Sequence, residues 1–391
     1  MNYLLTEEQL MIKETAREIA QKRIKPIAIE YDEKNEFPWE IQKIIADAGL
    51  FGVYLSEQYG GMIDPAKTNG ITNLVVAVEE LSKACGGISL SLAATALGTL
   101  PIVLFGSDEQ KQKYLPDLAS GAKLAAFAVT EAGAGSDAGS IQTTARKDGD
   151  DYILNGTKQW ITNGEVAETY AVVAMTDKTK GARGATAFII EKGTPGFSFG
   201  KKEDKMGIRA SSTYELVFDD CKVPASQLLG KVGQGFVVAM KTFDMSRPGV
   251  AAQALGIAAG ALDDAVAYAR QRVQFGKPII ANQGLRFLLA DMAMKVEASR
   301  ALVYAVARSI DAGDLKCQKE SAIAKCFASD MAMEVTTDAV QVFGGYGYMK
   351  EYPMEKRMRD AKITQIYEGT NQIQRDVIGH ALVKEAASNE K

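Results

Sequence analysis

A short segment near the end of the chain carries side chains suited to proton transfer. It contains Tyr367-Glu368-Gly369-Thr370-Asn371, in which a carboxylate stands between an aromatic residue and a glycine. Glycine lets a backbone approach a ligand closely, Thr and Asn favour turns and helix starts, and a carboxylate so placed can remove a proton. Taken alone, the segment is equally typical of an ordinary loop that leads into a surface helix.

The residue counts restrict this chemistry to a few side-chain types. His380 is the only histidine, so a Ser-His-Asp triad, an HExxH zinc site and a two-histidine iron site are excluded. The four cysteines show neither CxxC nor CxxH spacing, which predicts no disulfide and no metal site, as in a reducing compartment. Acid–base chemistry is therefore left to carboxylates, lysine, tyrosine or a cofactor.

Composition and charge favour a soluble protein of more than one domain. Of the 391 residues, 47% are hydrophobic, and the net charge of −4 provides no basic surface for nucleic acid. Glu7 and Glu8 stand where a secretory signal would carry basic and then apolar residues, so we expect a cytoplasmic protein. Residues 84–107 lack charge over a length that could cross a bilayer, but their glycines and Pro101 favour a buried helix with a break near that proline.

The elements that must position the reactive groups follow from hydrophobic periodicity. The pattern predicts helices over 1–121, short strands over 122–232 and long helices over 233–391, an α+β fold in three domains. Strands without intervening helices indicate a compact antiparallel β domain rather than a doubly wound sheet.

Local signals predict where some of these elements begin and turn. Thr6 with Gln9 predicts a capping box at the start of the first helix. Asp148-Gly149 and Asn155-Gly156 each predict a hairpin turn.

Four further segments combine small, aromatic and basic residues that suit a flat polar ligand. Segment 127–137 offers backbone and hydroxyl donors on a glycine-rich loop, and 158–163 places Trp160 beside polar groups. Segment 270–278 puts arginines at a helix end, where they suit a diphosphate or the helix macrodipole alike, and 341–348 is a glycine-rich interruption between helices. Read one at a time, these segments leave a plain connector, a core tryptophan and a capped helix end open as alternatives.

Together, in this order and spacing, the segments resemble the acyl-CoA dehydrogenase family. The resemblance spans residues 5–382 and is greatest to short- and medium-chain members of the butyryl-CoA dehydrogenase type. It depends most on Val129-Thr130-Glu131 followed by 133–137, and on 360–362 followed by 367–372.

The resemblance implies a fold, a cofactor and partners. The implied fold has an N-terminal α-helical domain, a central antiparallel β domain and a C-terminal domain like a four-helix bundle. It also implies non-covalently bound FAD, an acyl-CoA substrate, electron-transferring flavoprotein as acceptor and a homotetramer.

Roles for individual residues come from the same resemblance, which makes Glu368 the catalytic base. The implied FAD-binding residues are Phe127, Val129, Thr130, Gly135, Ser136, Trp160, Ile161, Thr162, Arg272, Gln274, Phe275, Gln283, Gln341, Val342, Gly344, Gly345, Thr370 and Gln372, with 341–345 reaching FAD from a neighbouring subunit. The implied acyl-CoA contacts are Ser136, Asp244, Met245, Ser246, Arg247, Tyr367 and Gly369.

The identity of the base rests on one difference among such enzymes. Some relatives carry the base on an earlier helix, at the position of Ser246, and a serine cannot serve there. The resemblance then implies that Glu368 takes the α proton of the thioester while the β hydride passes to flavin N5, which yields a 2-enoyl-CoA. Burial against an apolar acyl chain would raise the Glu368 pKa toward that of the α C–H.

Substrate and acceptor remain open at this point. The small residues of 89–98 are compatible with acyl groups from butyryl to octanoyl and with alicyclic groups such as cyclohexanecarbonyl. An oxygen-using oxidase or monooxygenase and a non-catalytic acyl-CoA binder are the alternative functions.

Overall fold

The computed structural model describes residues 3–66 and 68–389. Six α-helices form the first part of these residues: α1 Glu7–Ile19, α2 Ala28–Lys34, α3 Trp39–Asp47, α4 Ile71–Ala84, α5 Leu90–Phe105 and α6 Asp108–Ala119. The predicted capping box is confirmed, because the Thr6 hydroxyl accepts from the Gln9 N–H and the Gln9 side chain accepts from the Thr6 N–H.

A mixed sheet follows the first helices. Its strands are β1 Ala125–Ala128, β2 Thr144–Asp148, β3 Asp151–Thr162, β4 Thr169–Met175, β5 Ala185–Glu191, β6 Phe197–Lys202, β7 Thr213–Pro224 and β8 Leu228–Leu229. The order is β6-β7-β3-β2-β4-β5-β8, and β1 pairs with β4 outside this order. Pairing is mainly antiparallel, as the fold class predicts, but β1 and β2 both run parallel to β4.

The hairpin turn predicted at Asn155-Gly156 is wrong. β2 turns into β3 after Asp148, where Gly149 has φ +59°, and β3 then continues through Asn155-Gly156 to Thr162. Pairing of β3 with β7 shifts register at this point. The glycine is required by close packing instead, because a Cβ on residue 156 would lie 2.6 Å from Thr143 Oγ1.

Long helices form the last part of the chain. They are α7 Gly235–Gln271, α8 Gln283–Asp311, α9 Gln318–Phe343, α10 Met354–Ile363 and α11 Asn371–Asn389, and a short hairpin of β9 Val273–Gln274 and β10 Lys277–Pro278 joins α7 to α8. The alanine-rich α7 packs against α4, α5, α8 and α9. Among the described residues, α7 alone is both long enough and apolar enough to cross a membrane. However, 72% of its most apolar window is buried inside the molecule, as in a core helix.

The break predicted near Pro101 is also wrong. α5 continues through this proline to Phe105, although Pro101 cannot donate a hydrogen bond to the carbonyl four residues earlier. Leu100 and Ile102 on either side are buried, and α5 packs on both α7 and β1. Tertiary packing therefore maintains the helix despite the lost bond. Its first half forms one wall of the pocket described below.

Candidate active site

One pocket of about 120 Å³ lies where α4, α5 and α7 meet the sheet and the segment before α11. Its apolar wall includes Leu90, Ala93, Ala94, Leu97, Leu100 and Val250. Of the residues proposed from the sequence, the structure gathers here Phe127, Val129, Thr130, Trp160, Ile161, Thr162, Ser246, Tyr367 and Glu368. Side chains separated by more than 200 positions in sequence thus share a mostly apolar enclosure.

The backbone at Glu368 adopts an unusual conformation. α10 ends at Ile363, and before α11 begins the chain passes through Glu368 at φ +51° and Gly369 at φ +90°. The Gln374 amide donates to the carbonyls of Glu368 (3.1 Å) and Gly369 (2.9 Å). A Cβ on residue 369 would clash with Gln374 Nε2. A left-handed non-glycine residue costs about 1–3 kcal/mol, and such strain concentrates at functional sites.

The Glu368 carboxyl group has a raised pKa. Burial is the main cause, since the low-dielectric surroundings disfavour the charged form. A hydrogen bond from the Ser246 hydroxyl and the positive charges of Arg247 and Lys325 act in the opposite direction and lower the pKa. Burial therefore favours the neutral form of this half-buried carboxyl group, while the hydrogen bond and the two positive charges favour its ionised form. That balance suits a general base.

Behind Ser246, the remaining residues of segment 244–247 are buried and only Ser246 lines the pocket. Arg247 Nη1 donates to Asp244 Oδ1 at 3.2 Å, and burial lowers the Arg247 pKa and raises that of Asp244. Arg247 Nε has no protein partner within the described residues. Met245 packs into the hydrophobic core.

The loop after β1 contributes a second polar wall. Val129 and Thr130 line the pocket, while Gly135 and Ser136 lie exposed farther along the loop and do not line it. Lys158 donates to the Val129 carbonyl at 2.8 Å and to Glu131 Oε1 at 2.7 Å, and it is wholly buried. This lysine, which we did not select from the sequence, fixes the strand end that faces the pocket.

Lys325 is a second buried lysine near the pocket that sequence reasoning missed. It is wholly buried on α9 and donates to the Gly369 carbonyl at 2.7 Å and to Asn371 Oδ1 at 2.9 Å. The available signal was a single charge inside the apolar run Ile323-Ala324-Lys325-Cys326-Phe327. A lysine in such a run is rarely buried without a specific partner.

A second hollow of about 520 Å³ collects six of the other twelve proposed cofactor residues. It is lined by Arg272, Gln274, Gln341, Val342, Gly344 and Gly345. The Arg272 guanidinium lies over the Tyr346 ring, 5.2 Å from its centroid.

Four other proposed cofactor residues line neither space. Phe275 is 97% exposed at φ +52°, and Gln283 is exposed at the start of α8. Thr370 accepts a hydrogen bond from the Ile373 N–H, and Gln372 is exposed on the first turn of α11.

The donor set of these two spaces fits FAD. Phe127 and Trp160 provide aromatic faces, and Thr130 and Thr162 provide hydroxyls for the polar edge of an isoalloxazine ring. Trp160 is 52% exposed, so a flat ring system could lie against its indole. In the second hollow, Arg272 supplies a cation for a diphosphate.

Comparison with known proteins finds one family along nearly the whole chain. The family models for acyl-CoA dehydrogenase match with their N-terminal domain over 6–122, their middle domain over 126–221 and their C-terminal domain over 233–383. A short-chain-specific acyl-CoA dehydrogenase of Megasphaera elsdenii is 51% identical over 98% of this chain and 100% of the relative.

Solved structures agree with the sequence relatives. The butyryl-CoA dehydrogenase structure from Megasphaera elsdenii superposes with a TM-score of 0.94, at 51% identity over 98% of this chain and 100% of the other. A chain from work on the electron transferring flavoprotein of Acidaminococcus fermentans also gives 0.94, at 53% identity over 98% of this chain and 99% of the other.

Proposed function

The chain belongs to the acyl-CoA dehydrogenase family of flavoprotein oxidoreductases, and from that premise we propose that it dehydrogenates short- to medium-chain acyl-CoA thioesters between the α and β carbons with bound FAD. One observation carries the proposal. The Glu368 carboxyl group, with its pKa raised by burial, lines an apolar pocket together with Trp160 and Thr162.

Glu368 is the group that accepts the α proton. An ordinary glutamate has a pKa of about 4.3, far below that of a thioester α C–H, so the free carboxylate is too weak a base. An acyl chain against Leu97, Leu100 and Val250 would expel water and raise the Glu368 pKa further. FAD, when bound against Trp160 and Thr162, supplies the acceptor for the β hydride.

The pocket wall supports a broad acyl range. Ala93, Ala94 and Gly249 leave space that larger side chains would fill, which is compatible with butyryl through octanoyl and with alicyclic acyl groups. A steady-state series of straight, branched and cyclic thioesters tests this range. A preference confined to butyryl-CoA would contradict it.

Replacement of Glu368 by Gln tests the proposed base. The variant should bind FAD like the parent, while butyryl-CoA should reduce that FAD anaerobically about 10²–10⁴ times more slowly, as measured by loss of flavin absorbance. Glu351→Gln, at an exposed position, is the matched control and should react like the parent. Reduction of the Glu368→Gln enzyme at the parental rate would contradict the assignment.

Electron-transferring flavoprotein is the proposed acceptor. A similar chain occurs in work on such a flavoprotein, which supports this choice over oxygen. After anaerobic reduction, reoxidation by electron-transferring flavoprotein should be much faster than reoxidation by air. Faster reoxidation by air would instead favour an oxidase of the same fold.

A homotetramer is proposed because aromatic and apolar side chains are exposed at the second hollow and next to its lining residues in the sequence. Phe275, Tyr346, Tyr348 and Met349 are each at least 45% exposed. Such a surface is typical of a contact between subunits. Sedimentation at micromolar concentration should give the mass of four chains, and a monomer that binds FAD fully would contradict the proposal.

A further inference from the structure

Lys325 makes an unusual set of contacts for a buried lysine. Its ammonium group donates to two neutral oxygens, the Gly369 carbonyl at 2.7 Å and Asn371 Oδ1 at 2.9 Å. Over residues 3–66 and 68–389, no carboxylate forms an ion pair with it. A buried ammonium normally requires a counter-ion, so its retention here calls for a specific role.

Both acceptors belong to the segment that carries Glu368. Gly369 directly follows the glutamate, and its carbonyl receives bonds from Lys325 and Gln374. Asn371 is fixed in turn, because its side chain also donates to Ser329 and Asp330 on α9. Lys325 therefore ties the two left-handed residues to a rigid helix more than 40 positions away in sequence.

The ammonium also acts through its charge. Burial lowers the Lys325 pKa to about 8, so the group is mostly protonated at neutral pH. The charged or titratable groups that face it are Glu368, Arg247, Cys326 and Asp330. Asp330 already receives donors from Gln365, Asn371 and Arg375, whereas the Glu368 carboxyl group accepts one bond from the described residues, that of Ser246. Among the described residues no cation is in direct contact with Glu368, and its pKa is lowered at a distance by Arg247 first and by Lys325 second.

We propose that Lys325 is a positioning residue for the base: its ammonium group holds the Glu368–Gly369 peptide in place and keeps the Glu368 carboxylate ionised inside an apolar pocket. This inference rests on the proposed role of Glu368. Lys325 itself lies behind the loop and does not line the pocket.

The test compares Lys325→Met with Lys319→Met, a lysine on the same helix whose partners, Glu320 and Glu385, are surface carboxylates. Loss of a nearby positive charge raises a carboxyl pKa by roughly one unit. The acid limb of the kcat/KM–pH profile of Lys325→Met should therefore move up by about one unit. On that limb kcat/KM should fall about tenfold from charge loss alone, with FAD content unchanged.

A second readout does not depend on turnover. Infrared difference titration of the protonated carboxyl band, identified by its loss in Glu368→Gln, should show the same upward shift in Lys325→Met and none in Lys319→Met. If the parent reduced no FAD with any acyl-CoA, the proposed function would fail, while this titration would still report whether Lys325 controls Glu368.

Two more variants separate geometry from charge. Asn371→Ala keeps the ammonium and removes one of its anchors, so kcat should fall without an upward shift of the acid limb. Lys325→Arg should keep the parental limb, because the charge remains. If Lys325→Met fails to fold, Lys325→Gln replaces it. A folded, FAD-loaded Met or Gln variant with the parental kcat and the parental carboxyl titration would overturn the proposal.

Discussion

Two pocket-facing loops are each held by a wholly buried lysine, and the two lysines differ in what they bind. Lys158 supports the loop after β1 and pairs with Glu131 at 2.7 Å. Lys325 supports the loop before α11 and bonds only to neutral oxygens among the described residues. Burial lowers the pKa of both lysines to about 8.

This difference in partners distinguishes a lysine that supports a loop from a lysine whose charge also affects a neighbouring carboxyl group. The charge of Lys158 is largely cancelled by Glu131, which also accepts the backbone N–H groups of Gln142 and Thr143. The Lys158–Glu131 pair holds the wall of the pocket in place, and its net electric field inside the pocket is small. No residue in the described part of the chain forms an ion pair with Lys325, and its charge lowers the Glu368 pKa together with the charge of Arg247. Equal burial thus serves two purposes.

The largest predicted effect is on stability, at Lys158. Lys158→Met leaves Glu131 buried without its cation and should lower the free energy of unfolding by about 3–5 kcal/mol, as measured by urea denaturation. Lys325→Met leaves only neutral oxygens unsatisfied and should cost about 1–3 kcal/mol. The double variant Lys158→Met/Glu131→Gln should recover part of the loss. Equal costs for the two single Met variants would remove the distinction.

Gly369→Ala should disturb the loop that carries Glu368 without changing any charge. The new Cβ would meet Gln374 at a residue with φ +90°, and the cost should be about 1–3 kcal/mol with a clear loss of kcat. Gly313→Ala is the matched control, because Gly313 has φ +94° and open space around it. Similar stability losses with an unchanged kcat in both would mean that Gln374 does not constrain the base.

Ser246→Ala should have the smallest effect. It removes the hydroxyl that donates to the Glu368 carboxylate, so the Glu368 pKa should rise. Because the base must be ionised, the acid limb of kcat/KM should move to higher pH, by less than one unit, while stability changes little. A downward shift would show that the hydroxyl favours the protonated form.

Sequence reasoning succeeded where local patterns decide the structure. The Thr6 and Gln9 capping box, the order of helical and strand regions and the helix start at Asn371 follow from neighbouring residues. It failed where distant packing decides. At Asn155-Gly156 the chain pairs with β7 instead of forming the predicted turn. At Pro101 the helix α5 continues because it packs against α7 and β1.

The two lysines were missed for the same physical reason. The partners of Lys325 are a carbonyl and an amide more than 40 positions away, and Lys158 looks like an ordinary polar residue of a strand. Long-range side-chain hydrogen bonds of this kind produce no periodic pattern in the sequence. They become visible only when the folded backbone brings the groups together.

Because Trp160 is exposed at the rim of the pocket, its fluorescence can report on binding there. The chain has only two tryptophans, and the other, Trp39, stacks edge-on with Phe37 on the surface. A Trp39→Phe protein would hold a single indole, located at the rim of the reactive pocket. Its fluorescence would then report arrival and departure of a chromophore at that rim, in real time and without a label.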